Sequence, residues 1–150
     1  MDVLEKLKQD HENIKEKISI LAETIQKLET GMVSYLKREA INIDEFLEFF
    51  RKFVDSHFKI EEEIIFPELE KHGADKKFLS SLLDEHKVIR EMIFKFQATV
   101  ESGINIEDEN TKKEIIRIIE LIIQKLSIHA EKEDSKLIPL AQQVLRKEEK

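Results

Sequence analysis

The 150-residue chain contains no cysteine. That absence excludes disulfides, cysteine-ligated iron–sulfur clusters, thiol redox chemistry and cysteine zinc sites. Glycine and proline are scarce, at three and two residues, against an abundance of Ile, Leu, Lys and Glu. Such a composition favours long helices and short connections. A basic stripe is also missing, and the net charge of -7 argues against a nucleic-acid or anionic-membrane surface. The N-terminal Met1-Asp2-Val3-Leu4-Glu5-Lys6 lacks the charged-then-apolar pattern of a signal peptide. The most apolar run, Ile115 to Ile123, contains Arg117 and Glu120 and is too short to span a bilayer. With no low-complexity linker, the expectation is one cytoplasmic domain over residues 1–150, large enough to bury a core.

What is present is helical periodicity. Leu4, Leu7, His11, Ile14, Ile18, Leu21, Ile25 and Leu28 alternate steps of three and four without a break. Met32 and Leu36 extend the stripe past Gly31, and 40–43 reads as a connection with Asn42 or Asp44 as the next N-cap. A second helix from about Asp44 towards Glu70 shows Phe46, Phe50, Phe53, His57, Ile60 or Glu61, and Ile64 on one face, with a kink or stop expected near Phe66, before Pro67. Lys71-His72-Gly73 reads as a C-terminal cap, with His72 off the stripe, and Asp75 as the opening of a third helix. That helix carries Leu79, Leu82, His86, Ile89, Ile93, Phe96 and Val100, and Ser102-Gly103 ends it. A polar loop to Asn110 leads to a fourth stripe of Ile115, Ile118 or Ile119, Ile122, Leu126, His129 and Glu133. Pro139 then interrupts, before a short tail with Leu140 and Val144. The predicted fold is all-α: an up-down-up-down four-helix bundle with a short C-terminal helical extension.

A repeat runs through this pattern. His57-Phe-Lys-Ile-Glu61, followed by Pro67, returns 72 positions later as His129-Ala-Glu-Lys-Glu133, followed by Pro139. Asp10-His11 likewise returns as Glu85-His86, 75 positions on. The chain reads as a duplicated helical hairpin whose halves are related by a pseudo-two-fold axis.

Each helix therefore places one histidine on its buried stripe, and two of them add a carboxylate one turn later. A single core histidine is usually a satisfied hydrogen-bonding residue. Four of them with two matching carboxylates are harder to explain by packing, because buried Glu is rare unless paired or metal-bound. Imidazole with carboxylate suits iron, manganese or zinc rather than calcium or a soft metal. At i and i+4 the two side chains point the same way, about 6 Å apart along the axis. Six inward ligands suggest two metals, each with two histidines, bridged by both carboxylates. Ferritin-like sites use Glu-x-x-His and more carboxylates than histidines, so the order and ratio here differ.

The ordered set His11, His57-x-x-x-Glu61, His86, His129-x-x-x-Glu133 resembles the hemerythrin-like (HHE cation-binding) family over nearly the whole chain. The resemblance implies a non-haem di-iron centre with a bridging oxo or hydroxo group. His11 and His57 would serve one iron, His86 and His129 the other, and Glu61 and Glu133 would bridge. Asp134, at the spacing of the bridging acid in classical hemerythrins, competes with Glu133; the repeat and the apolar stripe favour Glu133. Asp10, Glu62 and Glu85 also adjoin these positions, either orienting histidines or forming solvated helix edges. The oxygen carriers have a further histidine where this chain has Arg90, so each iron here would keep one open position.

The implied work is binding or reacting with a small diatomic ligand or peroxide: dioxygen, nitric oxide or hydrogen peroxide. Signalling would need a separate partner. Peroxide decomposition of the catalase type suits two open positions, and donation of iron to damaged iron–sulfur centres is a further reading. The opposing expectation is a metal-free or zinc-bound structural bundle. If the histidines only pack, chelation will leave the thermal midpoint unchanged. A metal centre instead predicts a midpoint that falls on chelation and recovers when metal is returned, as differential scanning calorimetry would record.

Overall fold

The computed structural model describes residues 2–30, 43–101 and 108–148, and among these there are four helices and no strand. Helix α1 is Val3–Thr30, α2 covers 43–71, α3 is Lys76–Glu101 and α4 covers 109–148. The starts of α1, α3 and α4 are set by acidic caps. Asp2 accepts the Glu5 N–H at 2.7 Å, Asp75 accepts that of Lys77 at 3.0 Å, and Asp108 accepts that of Thr111 at 3.0 Å. Helix α4 thus begins at Glu109, so Asn110 lies inside it and not in the loop before it. Asp44 lies within α2 and is not its cap, while Asn42 falls outside the described residues, as do Gly31, Met32, Leu36, Ser102 and Gly103.

The turn from α2 to α3 is closed by backbone geometry. Gly73 has φ +89°, Ala74 N–H donates to Leu69 C=O at 2.9 Å, and Gly73 N–H to Glu70 C=O at 3.1 Å. This is a Schellman cap, which requires a left-handed residue at the position glycine holds. His72 is exposed beside it and donates from Nδ1 to the Glu68 carbonyl.

Two apolar clusters show how the helices alternate. Leu21, Ile25 and Leu28 of α1 share one cluster with the start of α2, the end of α3 and the start of α4. Leu4 and Leu7 share the other with the end of α2, the start of α3 and the end of α4. Neighbours therefore run antiparallel, up-down-up-down. Each fully buried Leu, Ile or Phe contributes about 1.5–3 kcal/mol. Between the clusters lies a layer of buried polar residues: Asp10, His11, His57, Glu61, His86, His129 and Glu133.

The stripes of α1 and α3 fall where their periodicity puts them, but α2 does not. Ile64 is 47 % exposed, and Phe53 is only half-buried, whereas Val54, Phe58 and Ile65 are buried. The cause is a pair of π turns, Phe50–Val54 and Glu61–Ile65. A turn closed by an i→i+5 bond holds one extra residue, so each advances the buried face by one position.

The second of these turns also answers the proline. Phe66 N–H donates to Glu61 C=O, and of the kink or stop expected near Phe66 the stop does not occur: the helix runs through Pro67 to Lys71. In α4 the same device recurs: Glu133–Leu137 is a π turn, Ile138 N–H donates to Glu133 C=O, and the helix passes Pro139 to Glu148. Proline lacks an N–H and crowds the carbonyl four residues back; a widened turn just ahead of it relieves both. The C-terminal extension is the end of α4 itself.

Gly73→Ala meets no steric obstacle at Cβ, yet must hold φ +89°. It should destabilise the protein by about 1 kcal/mol, measured by urea unfolding, with Gly73→Asn costing less.

Candidate metal centre

The polar layer collects all six of the residues that the sequence singles out. His11, His57, Glu61 and Glu133 form one group in which a ligating atom from each lies within 4.8 Å of every other. Glu61, His86, His129 and Glu133 form a second group by the same measure. The two carboxylates belong to both. Glu133 reaches His11 Nε2 at 3.1 Å with one oxygen and His129 Nε2 at 3.3 Å with the other. Glu61 Oε1 lies 3.5 Å from His57 Nε2 and 3.3 Å from His86 Nε2. Each carboxylate thus lies between a histidine of one group and a histidine of the other.

The outward nitrogen of every ring is held by an acid from a different helix. His57 Nδ1 donates to Asp10 at 3.0 Å, and His86 Nδ1 to Glu62 at 2.6 Å. His129 Nδ1 donates to Glu85 at 2.8 Å, and His11 Nδ1 to Asp134 at 2.7 Å. A carboxylate can only accept, so each Nδ1 carries a proton, and Nε2 is the inward nitrogen, which presents a lone pair to the centre whenever the ring is neutral. Asp134 therefore holds a ring from outside, and Glu133 is the acid that faces inward. The acids are held in turn by Lys6 on Asp10, Lys132 on Glu85, Lys15 on Asp134 and Arg90 on Glu62. Burial works to raise the carboxyls of Asp10, Glu85 and Asp134, but their histidine and lysine partners outweigh it and hold them below the usual range.

The inner groups do not satisfy one another. His57 Nε2, both oxygens of Glu61 and one of Glu133 are buried without a hydrogen-bond partner. His86 Nε2 faces His129 Nε2 at 3.0 Å, two lone pairs in apposition unless a proton or a cation comes between. Burial and the charge of Glu133 push the Glu61 carboxyl well up. Glu133 is held well down, burial being outweighed by the neighbouring Glu61 carboxyl and the imidazoles of His11 and His129. Burial opposes protonation of His11 and His129, but Glu133 with Asp134 or Glu85 raises both. Burial and the neighbouring His129 push His86 down to about 4. Two acids and four imidazoles are thus crowded so that not all can take their preferred charge, and cations at the centre would let both acids ionise. The donor set fits a hard-to-borderline metal.

Three contributors were not legible in sequence. Phe58 stacks on His86 at 3.8 Å with an 8° tilt, Arg90 lies over Phe58 at 5.3 Å, and Arg90 Nε donates to Asp55 at 2.9 Å. The π turn at Phe50–Val54 hid Phe58 from a 3-4 stripe. Asp10 and Glu85, and likewise Glu62 and Asp134, recur in both halves, which is the signal that separates them from ordinary helix-edge acids.

A helical bundle with a shared histidine–carboxylate core defines the class of helical cation-binding proteins. The chain matches the model of the hemerythrin HHE cation binding domain over residues 2–141, and it belongs to that family. No curated protein and no solved structure shows a significant match.

The crowding of Glu61 against Glu133 predicts opposite effects on folding and binding. Glu61→Gln should make the metal-free protein more stable by about 1 kcal/mol or more. The same substitution should sharply weaken metal binding, read by metal titration of the same preparation.

Proposed function

We propose that this chain is a non-haem di-iron protein that binds or reacts with dioxygen, nitric oxide or peroxide. One observation carries the reading: two four-residue groups share Glu61 and Glu133, and His57 Nε2, both Glu61 oxygens and one Glu133 oxygen are buried at their centre without a hydrogen-bond partner. In it His11 and His57 hold one iron, His86 and His129 the other, and the two glutamates bridge, with an oxo or hydroxo group completing the pair. When bound, such an iron pair supplies the redox and small-ligand chemistry. The chain's own share is to aim four Nε2 atoms inward, hold each Nδ1 proton in a hydrogen bond to an acid, and exclude bulk water with apolar clusters on both sides.

Peroxide decomposition is favoured by a second observation. Among the described residues neither group has a fifth side-chain ligand. Arg90, one turn after His86, is turned onto Glu62 and Asp55. Two metals each held by four side chains leave room for a ligand that touches both. Donation of iron to a damaged iron–sulfur centre is the alternative use of the same open geometry. A cytoplasmic setting fits the absence, among the described residues, of any helix long and apolar enough to cross a membrane.

Protein produced with iron supplied should carry about two irons per chain and show oxo-bridge charge-transfer bands in the near ultraviolet. Titration with oxygen, nitric oxide and peroxide then separates reversible binding from turnover. Zinc alone, or no metal after anaerobic reconstitution, would defeat the redox reading.

A further inference from the structure

The internal repeat pairs α1 with α3 and α2 with α4, so two seams of the bundle should look alike: α2/α3 and α1/α4. Under the offsets of 75 and 72, Arg90 corresponds to Lys15, Glu62 to Asp134, Asp55 to Ser127 and Phe58 to Ala130. The first two pairs do the same work, a cation holding the acid that takes a histidine proton. The last two pairs differ in size and charge, and the seams differ accordingly.

At the α2/α3 seam the space is filled. Phe58, 1 % exposed, lies flat on His86, and Arg90 covers the phenyl ring while binding both Asp55 and Glu62. At the α1/α4 seam a methyl group stands for the phenyl ring and a hydroxyl for the second acid. There a cavity of about 440 Å³ opens, lined by Lys15, Ile18, Ser127, Ala130 and Asp134 among others. A second hollow of about 670 Å³ shares Lys15 and Asp134 and is bordered by His11 itself. So the α1/α4 groove runs from solvent to the edge of a buried imidazole of the centre, with the Lys15–Asp134 ion pair across it. Lys15 is half-exposed, and a surface pair of this kind is cheap to break.

We propose that divalent metal ions enter and leave the centre through the α1/α4 groove, past Ala130 and the Lys15–Asp134 pair, while the matching α2/α3 seam is shut by Phe58, Arg90 and Asp55. This rests on the metal-centre reading above. An ion arriving in the groove meets the acids Glu131 and Asp134 before it meets His11, so its water can be exchanged for carboxylate oxygen on the way in. The filled seam offers no comparable step, because Phe58 and the Arg90 side chain, tied to both Asp55 and Glu62, occupy the space that the groove leaves open.

A passage has a kinetic signature that a ligand does not. Narrowing it raises one barrier common to both directions, so uptake and release slow together and the dissociation constant stays fixed. The probe is cobalt(II), added to metal-free protein and followed by its visible absorption, with release measured after adding excess chelator. Ala130→Leu and Ala130→Phe should slow both rates progressively, by about tenfold or more for Phe, with about two cobalt ions still bound per chain and an unchanged Kd. Phe58→Leu should speed both rates by opening the opposite seam. Unchanged rates in both Ala130 variants at full cobalt content would overturn the proposal. So would loss of cobalt from both, since Ala130 would then be part of the packing that holds the ligands and not the wall of a passage. If the unsubstituted protein takes up no cobalt at all, the metal-centre reading itself fails, an outcome distinct from flat rates in a protein that loads fully.

Discussion

The interaction on which the rest depends is the hydrogen bond from a buried histidine Nδ1 to an acid on the adjacent helix. It occurs four times and closes on itself. Helix α1 supplies Asp10 to the histidine of α2, α2 supplies Glu62 to α3, α3 supplies Glu85 to α4, and α4 supplies Asp134 back to α1. Every helix gives one acid and receives one. The ring fixes which helices are neighbours and which tautomer each imidazole adopts, and so it turns all four Nε2 atoms inward.

Energetically the layer is a weak point enclosed by strong ones. Apolar clusters above and below exclude water, which strengthens every paired interaction and penalises every unpaired one. The outer acids are paired with histidines and with lysine or arginine, and three of them are held below their ordinary range. The inner acids have no such relief. A core built for folding alone would not set Glu61 against Glu133, or two imidazole Nε2 atoms 3.0 Å apart. That conflict is local, repeated by the pseudo-symmetry, and confined to the atoms that a cation would satisfy, which is the usual mark of a site kept for function at the expense of stability.

The bundle and the six inward residues were legible because histidine and glutamate stood on stripes where apolar residues belong. Helices α1 and α3 hold an uninterrupted 3-4 rhythm, and their buried faces follow it. In α2 the rhythm breaks twice, and a straight-helix reading put Ile64 inside and missed Val54, Phe58 and Ile65. The prolines were visible in sequence, but their accommodation was not: Pro67 read as a kink or a stop and Pro139 as an interruption, whereas the π turns before them let the helices continue. Partners across helices were the least legible part. Spacing reports where a residue sits along its own helix and on which face, not which neighbour that face meets. Glu62 and Asp134 accordingly looked like edge residues or rival bridges. Nothing in the spacing of Lys6, Lys15 and Lys132 sets them apart from the other lysines.

The ring has a bearing on how the chain tolerates change. Moving any helix by one turn, about 5.4 Å, would sever both the link it gives and the link it receives. Axial alignment is thus settled inside the bundle, at the level of the histidines. The stretch from His11 to His57 is 46 positions and that from His86 to His129 is 43, yet the four rings share one layer. In most helical hairpins the connection both joins two helices and sets their stagger. Here the stagger is held by the layer itself, which stays level although the two stretches between histidines differ in length.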